Sequence, residues 1–334
     1  MADSSPIPLH TRAVSILEAT FGLVSNNRWL LHNPEFFSEY KMQCLLTDVY
    51  RVDDIPFGPN LDAYLYLIDQ PNLPPSIKVT EREIWCAGPF TQMDAAMADR
   101  RYSVFGNLGL FFKYAMATLE RRHGIYSFHA SAMYVPERHE LIAVIGGAGA
   151  GKTVLILEGL SRGYQIFTVE MLHFAFREEG IVFFKGALMD NIRVGNLIHD
   201  FPRAAERLGA RIPEVQDVWG TKIAIDFRPL APESDTIVNP KLTLLFPRIE
   251  AGRDPAIIND ITNRSKLKWM LFNNATEKIG GTNLFYEAVT VDTMDTPELM
   301  ERRLRAMERL VSGEVEILRA KSILAGTHNC MEGI

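Results

Sequence analysis

Over the first hundred residues the apolar positions fall in short runs, CLLTDVY, AYLYLID and REIWCAG, separated by DIPFGPN and QPNLPP. Short apolar runs bounded by Pro/Gly turns predict strands, so residues 1 to about 100 read as a small β-rich or α+β unit. From Ala95 to Arg122 the spacing changes: in the second half of AAMADRRYSVFGNLGLFFKYAMATLERR apolar residues recur three and four apart, which predicts a helix leading into the rest of the chain. IYSFHASAMYVPERHELIAVIGG then reads as a hairpin, two runs rich in Val, Ile, Tyr and Phe joined by PERH. A helix over GKTVLILEGLSRG, strands within YQIFTVEMLHFAFREEGIVFFKG, a short helix from Phe201 to Leu208, and strands at TKIAIDF and KLTLLFP follow. PELMERRLRAMERLVSGEVEILRAK is amphipathic with a helical period and predicts a late helix that continues past its glycine. The expectation is an α/β (α+β) chain: a mixed β-sheet with flanking helices over 101–334, and a smaller N-terminal α+β region over 1–100.

Composition narrows the class without naming a function. The chain has 334 residues and 41 acids against 35 Lys and Arg, a formal charge of −6 that argues against a broad electrostatic grip on nucleic acid. The arginines at 100, 101, 121 and 122 read as a solvated face. Cys44, Cys86 and Cys330 are odd in number, far apart and without histidine at ligand spacing, so neither a disulfide framework nor a zinc site is indicated, and a reducing, cytoplasmic setting is expected. The amino terminus lacks the pattern of a signal peptide and no apolar run reaches membrane-spanning length, so no membrane association is expected.

The chemistry concentrates in one stretch. Gly146, Gly147, Ala148, Gly149, Ala150, Gly151, Lys152 and Thr153 satisfy G-x-x-x-x-G-K-[ST], a pattern expected by accident in about 1% of chains this long. It follows a predicted strand and opens a predicted helix running on through Val154. Successive backbone N–H groups and the helix N-terminus can there converge on phosphate oxygens, while the glycines keep side chains out of the way. Lys152 then reaches the β- and γ-phosphates of ATP and the Thr153 hydroxyl binds Mg²⁺.

Several further stretches, in order, resemble the bacterial HPr kinase/phosphorylase family and its HPr-kinase-like relatives, which carry a P-loop on a compact fold akin to phosphoenolpyruvate carboxykinase. His129 in SFHASAMYV lies on a strand before the loop; GKTVLILEGLSRGYQIFTVE leads to Val169-Glu170, where the family has paired acids; DVWGTKIAI begins at Asp217; and AGRDPAIINDITNRSKLK spans Ala251 to Lys268. The resemblance covers residues 125 to 275. It implies Glu170 and Asp217 as metal contacts, Arg253 as a stabiliser of charge on the transferring phosphoryl group, and His129 as an orienting group or proton shuttle. Lys266 and Lys268 read as helix-face charges. Two departures fall on the acceptor side: Val169 stands where the expected base would be, and Trp219 where the family has arginine. The base must then be Glu170, His129 or Asp190. The expectation is an ATP- and Mg²⁺-dependent kinase acting on a hydroxyl of a small molecule or peptide other than HPr. A catalytically degenerate nucleotide-binding regulator of a protein partner is the alternative, and a slow ATPase switch a third. The resemblance also allows a homo-oligomer.

Overall fold

The computed structural model describes residues 8–32, 52–98, 100–280, 283–286, 289–291 and 293–331. The predicted strand CLLTDVY lies outside them. The chain divides into two compact units, Met1–Gly124 with Ile279–Thr296, and Ile125–Lys278 with Pro297–Ile334. The division therefore falls after Gly124 rather than near residue 100, and residues 279–296, expected in the second domain, group with the first.

In the first unit, β1 (His10–Ile16), β2 (Ala19–Ser25), β3 (Val52–Ile55), β4 (Ala63–Asp69), β5 (Ser76–Val79) and β6 (Glu83–Gly88) form a six-stranded sheet in the order β3-β1-β2-β4-β6-β5. The strands β2, β4 and β6 run parallel and the remaining pairs antiparallel. Helices α1 (Arg28–His32), α2 (Phe90–Ala96) and α3 (Leu110–Thr118) accompany it. The single helix predicted toward Arg122 is α3 followed by a wider turn, Leu119–His123, that ends at Gly124 with a φ of 59°. Most of α3 is buried, with Phe111 edge-on to Phe21 at 5.1 Å.

The second unit is built on a mixed sheet. Its strands are β7 (Ile125–Val135), β8 (Glu140–Ile145), β9 (Gln165–Thr168), β10 (Met171–Arg177), β11 (Gly180–Phe184), β14 (Thr236–Val238), β15 (Lys241–Ile249), β16 (Ile257–Asp260) and β19 (Ile317–Ala325). The order is β14-β11-β10-β7-β8-β15-β19-β16, with β9 also on β7; β12 (Met189–Arg193) and β13 (Lys222–Asp226) form a separate ribbon. Residues 283–285 and 289–291 make the small pair β17 and β18 of the first unit. The helices here are α4 (Lys152–Ser161), α5 (Pro202–Leu208), α6 (Arg264–Glu277) and α7 (Pro297–Ser312).

Alternation along the strands gives the sheet two apolar faces. Leu141, Ala143 and Ile145 of β8 pack with Leu267 and Leu271 of α6 and with Ala306, Met307 and Leu310 of α7. Ile142 and Val144 face the opposite way, against Leu155 and Leu160 of α4, Ala204 of α5, and Ile192 and Ile225 of the ribbon. Burying both faces is what permits the parallel set β8-β15-β19 at its centre. The late helix stops at Ser312: Gly313 takes a φ of 110°, and the residues beyond it, expected to remain helical, form β19 alongside β15. The sheet offers that segment a row of backbone partners, which outweighs its helical spacing. Among the described residues no helix is long and apolar enough to cross a membrane.

Candidate functional site

The glycine loop sits between the end of β8 and the start of α4, as its sequence implies. Both ends are pinned by backbone hydrogen bonds, Gly146 N–H donating to His129 O (3.2 Å) and Ile249 N–H to Ala150 O (3.1 Å). Gly151 has a φ of 100°, and a Cβ there would lie 2.2 Å from Cγ1 of Ile249, so only glycine fits. Lys152 is 8% exposed and folds back along the loop, its Nζ donating to Gly146 O at 2.8 Å and lying 2.9 Å from Nε2 of His129. Burial lowers the Lys152 pKa, with the Glu170 charge acting in the opposite sense.

His129 projects from β7 into this cluster and is 1% exposed. Its Nδ1 is 3.0 Å from Oε1 of Glu277 and its Nε2 is 3.0 Å from Oε1 of Glu170. Glu170 occupies the bend between β9 and β10, a bend fixed where Ser131 Oγ donates to Val169 O and Val169 N–H donates to Ala187 O. Burial pushes the Glu170 carboxyl up, but His129, Lys152 and Lys278 together overcome it and hold the group at about 2. The hydrogen bond from His129 lowers Glu277 likewise, against its burial.

Asp190 behaves oppositely. Burial, with the Glu170 charge, raises it to about 6, even though it accepts from Asn191 N–H at 2.7 Å and from the Thr153 hydroxyl at 3.1 Å. Two carboxyls therefore face one pocket with their proton affinities driven apart, the arrangement expected where one group holds charge and the other exchanges a proton. Among the described residues no three His, Cys, Asp or Glu converge as a closed metal cage. Mg²⁺ does not require one, since it is commonly held by one or two carboxylates together with phosphate oxygens and water. The ionised Glu170 and the Thr153 hydroxyl suit that role.

These groups line one wall of a cleft of about 1180 Å³. That exceeds the roughly 300–1,000 Å³ of an ordinary small-molecule site and leaves room for a nucleotide and a second substrate. Ala148, Gly149 and Val154 border it with the loop, and Arg253 lines it with its Nε 3.3 Å from Oε2 of Glu250. Val169 also reaches the cleft and is 4% exposed, so an apolar side chain occupies the place expected for a base. Trp219 also lines the cleft.

Asp217 does not line the cleft: its Oδ1 accepts from the backbone N–H groups of Trp219 (3.1 Å) and Gly220 (2.7 Å). An aspartate two and three residues before those amides closes its own turn, so the metal contact expected of Asp217 is replaced by a structural role. Lys266 and Lys268 lie on α6 away from the cleft, and Lys268 pairs with Glu308 of α7 at 2.9 Å.

Glu277, Lys278 and Asn274 were not legible as site residues. Asn274 Nδ2 donates to His129 O at 3.2 Å, and Lys278 Nζ is 3.8 Å from Glu170. Their signal is polar residues on the apolar stripe of α6: Asn274 and Lys278 continue the row Leu267, Leu271 at helical spacing. No protein-family model matches the chain, and no curated protein matches it.

Proposed function

We propose that this chain is an ATP- and Mg²⁺-dependent kinase of the HPr-kinase-like kind, transferring the γ-phosphoryl group to a hydroxyl of an acceptor other than HPr. The observation that carries the reading is the convergence of Lys152, the Thr153–Asp190 pair and the His129–Glu170 pair at one wall of a cleft roomy enough for two substrates. The loop amides and Lys152 bind the phosphates, and Lys152 exchanges its carbonyl partners for phosphate oxygens. Thr153 and Glu170 would hold Mg²⁺, which would supply charge neutralisation on the phosphates. The acceptor oxygen forms a bond to the γ-phosphorus as the bond to the ADP oxygen breaks, and the hydroxyl proton passes to Asp190. Asp190 suits that step better than Glu170, because a group near 6 is ionised yet still basic at neutral pH whereas one near 2 is a feeble base. Arg253 steadies the charge spread over the transferring group.

The cleft also bears on the regulator alternative. Its lining also includes Asn191, Arg193, Asn196 and Lys222 as well as Trp219, a polar lining suited to an acceptor rather than an apolar seal. Incubation of the protein with γ-labelled ATP and an extract of its source organism is expected to label a defined acceptor. Labelling should vanish in Lys152→Ala and fall about a hundredfold in Asp190→Asn, a typical loss for removal of a general base. Tight ATP binding without transfer or hydrolysis in any acceptor pool would overturn the kinase and leave the regulator.

A further inference from the structure

The ribbon β12–β13 places two cations face to face. In its antiparallel register Arg193 stands directly opposite Lys222, and like charges in that position repel across the pair. On the other face of the ribbon Ile192 and Ile225 pack into the core, beside Asp190 at the edge of the cleft. Both cations are exposed and both line the cleft. The Arg193 guanidinium donates to the Trp219 carbonyl, and among the described residues neither Arg193 nor Lys222 forms an ion pair. Of the acids that line the cleft, Asp200 is engaged elsewhere, accepting from Asn196 Nδ2 at 2.8 Å and lying 3.6 Å from Nε2 of His328.

Two neighbours give this cationic pair a shaped surrounding. Asn191, two residues before Arg193 and on the same face, also lines the cleft, and its Oδ1 is buried without a hydrogen-bond partner. Trp219 is 46% exposed, and its indole rests on Gly195, where a Cβ would come within 2.4 Å of a ring atom. His199 flanks it with ring centres 5.8 Å apart. The indole is thus backed on one side and presents an apolar surface to the cleft, while Asp217 fixes the turn that carries it.

We propose that the acceptor is a hydroxyl compound bearing its own phosphate monoester, held between Arg193 and Lys222 with its carbon skeleton against Trp219. This rests on the kinase reading of the same cleft. A dianion removes the repulsion between the two cations, and an arginine fork matches its oxygens in a way that a single carboxylate satisfies less fully.

The test is calorimetric titration of inorganic phosphate into the protein saturated with Mg²⁺ and a non-hydrolysable ATP analogue, so that the glycine loop is already filled. Wild type is expected to bind phosphate, and the double variant Arg193→Gln, Lys222→Gln to bind it about tenfold or more weakly with unchanged affinity for the analogue. Acetate should bind about tenfold or more weakly than phosphate. The proposal is overturned if wild type takes up no phosphate, if the double variant binds it equally well, if acetate equals phosphate, or if the double variant loses the analogue. The last result would assign the ribbon to the nucleotide. Should wild type fail to bind the analogue, the kinase reading falls by itself. Phosphate titrated into Lys152→Ala, with and without the ribbon substitutions, then decides the ribbon: binding lost with the substitutions upholds the anion site, and binding retained overturns it.

Discussion

His129 has a single ring nitrogen, Nε2, within reach of two different partners, Lys152 at 2.9 Å and Glu170 at 3.0 Å. A proton on Nε2 is donated to Glu170, and without it the nitrogen accepts from Lys152, so the imidazole cannot satisfy both at once. The Glu277 carboxylate on Nδ1 accepts from an Nδ1–H, which in the neutral ring leaves Nε2 as the acceptor for Lys152. Asp190 offers the clearest measurement at this scale. Its carboxyl is raised from 3.8 to about 6, so its contribution to folding is favourable below 3.8 and lost as pH rises through 6. Glu170, lowered from 4.5 to about 2, contributes stability present above 4.5 and lost as pH falls toward 2. Without nucleotide these two groups should therefore make the protein most stable where the opposing slopes cancel, between 3.8 and 4.5. Denaturant titrations are expected to show unfolding free energy falling by roughly 1 kcal/mol from pH 5 to pH 8 in wild type, allowing for the partial exposure of Asp190. Asp190→Asn should remove that decline; a decline of equal size in the variant would refute the assignment.

Helix α6 backs the loop from the other side of the sheet, which makes its stability a functional matter. Asn263 caps it, the side-chain oxygen accepting from Lys266 N–H at 2.9 Å, and Leu267 and Leu271 bury its inner stripe. Asn263→Ala should cost about 1 kcal/mol in equilibrium unfolding, the usual loss for a helix cap. It should leave nucleotide affinity unchanged, because the groups that meet His129 stand at the opposite end of the helix. At this scale the hairpin β7–β8, the loop and α4 were legible, since each has its own local period and punctuation. The segment after Gly313 was not: EILRAK has helical spacing, and its strand form depends on pairing with β15, far away in the chain.

Every residue lining the cleft belongs to the second compact unit. A chain of residues 125–334 with 279–296 replaced by a short Gly/Ser linker is therefore expected to bind an ATP analogue within about threefold of the intact protein, as a unit with its own core should. Loss of binding in a folded sample would show that the first unit contributes to the site. By itself the sequence determined the glycine loop with Lys152 and Thr153, and the α/β class, because backbone conformation and hydrophobic period are written into neighbouring residues. Its resemblance to the HPr-kinase-like pattern also singled out His129 and Glu170. Tertiary structure alone decided that Glu277 and Lys278 join them, that Asp217 closes a turn while Asp190 meets Thr153, and that Arg193 faces Lys222. Those relations arise from strand register and from packing across the sheet, and they join residues whose separation along the chain carries no local signal.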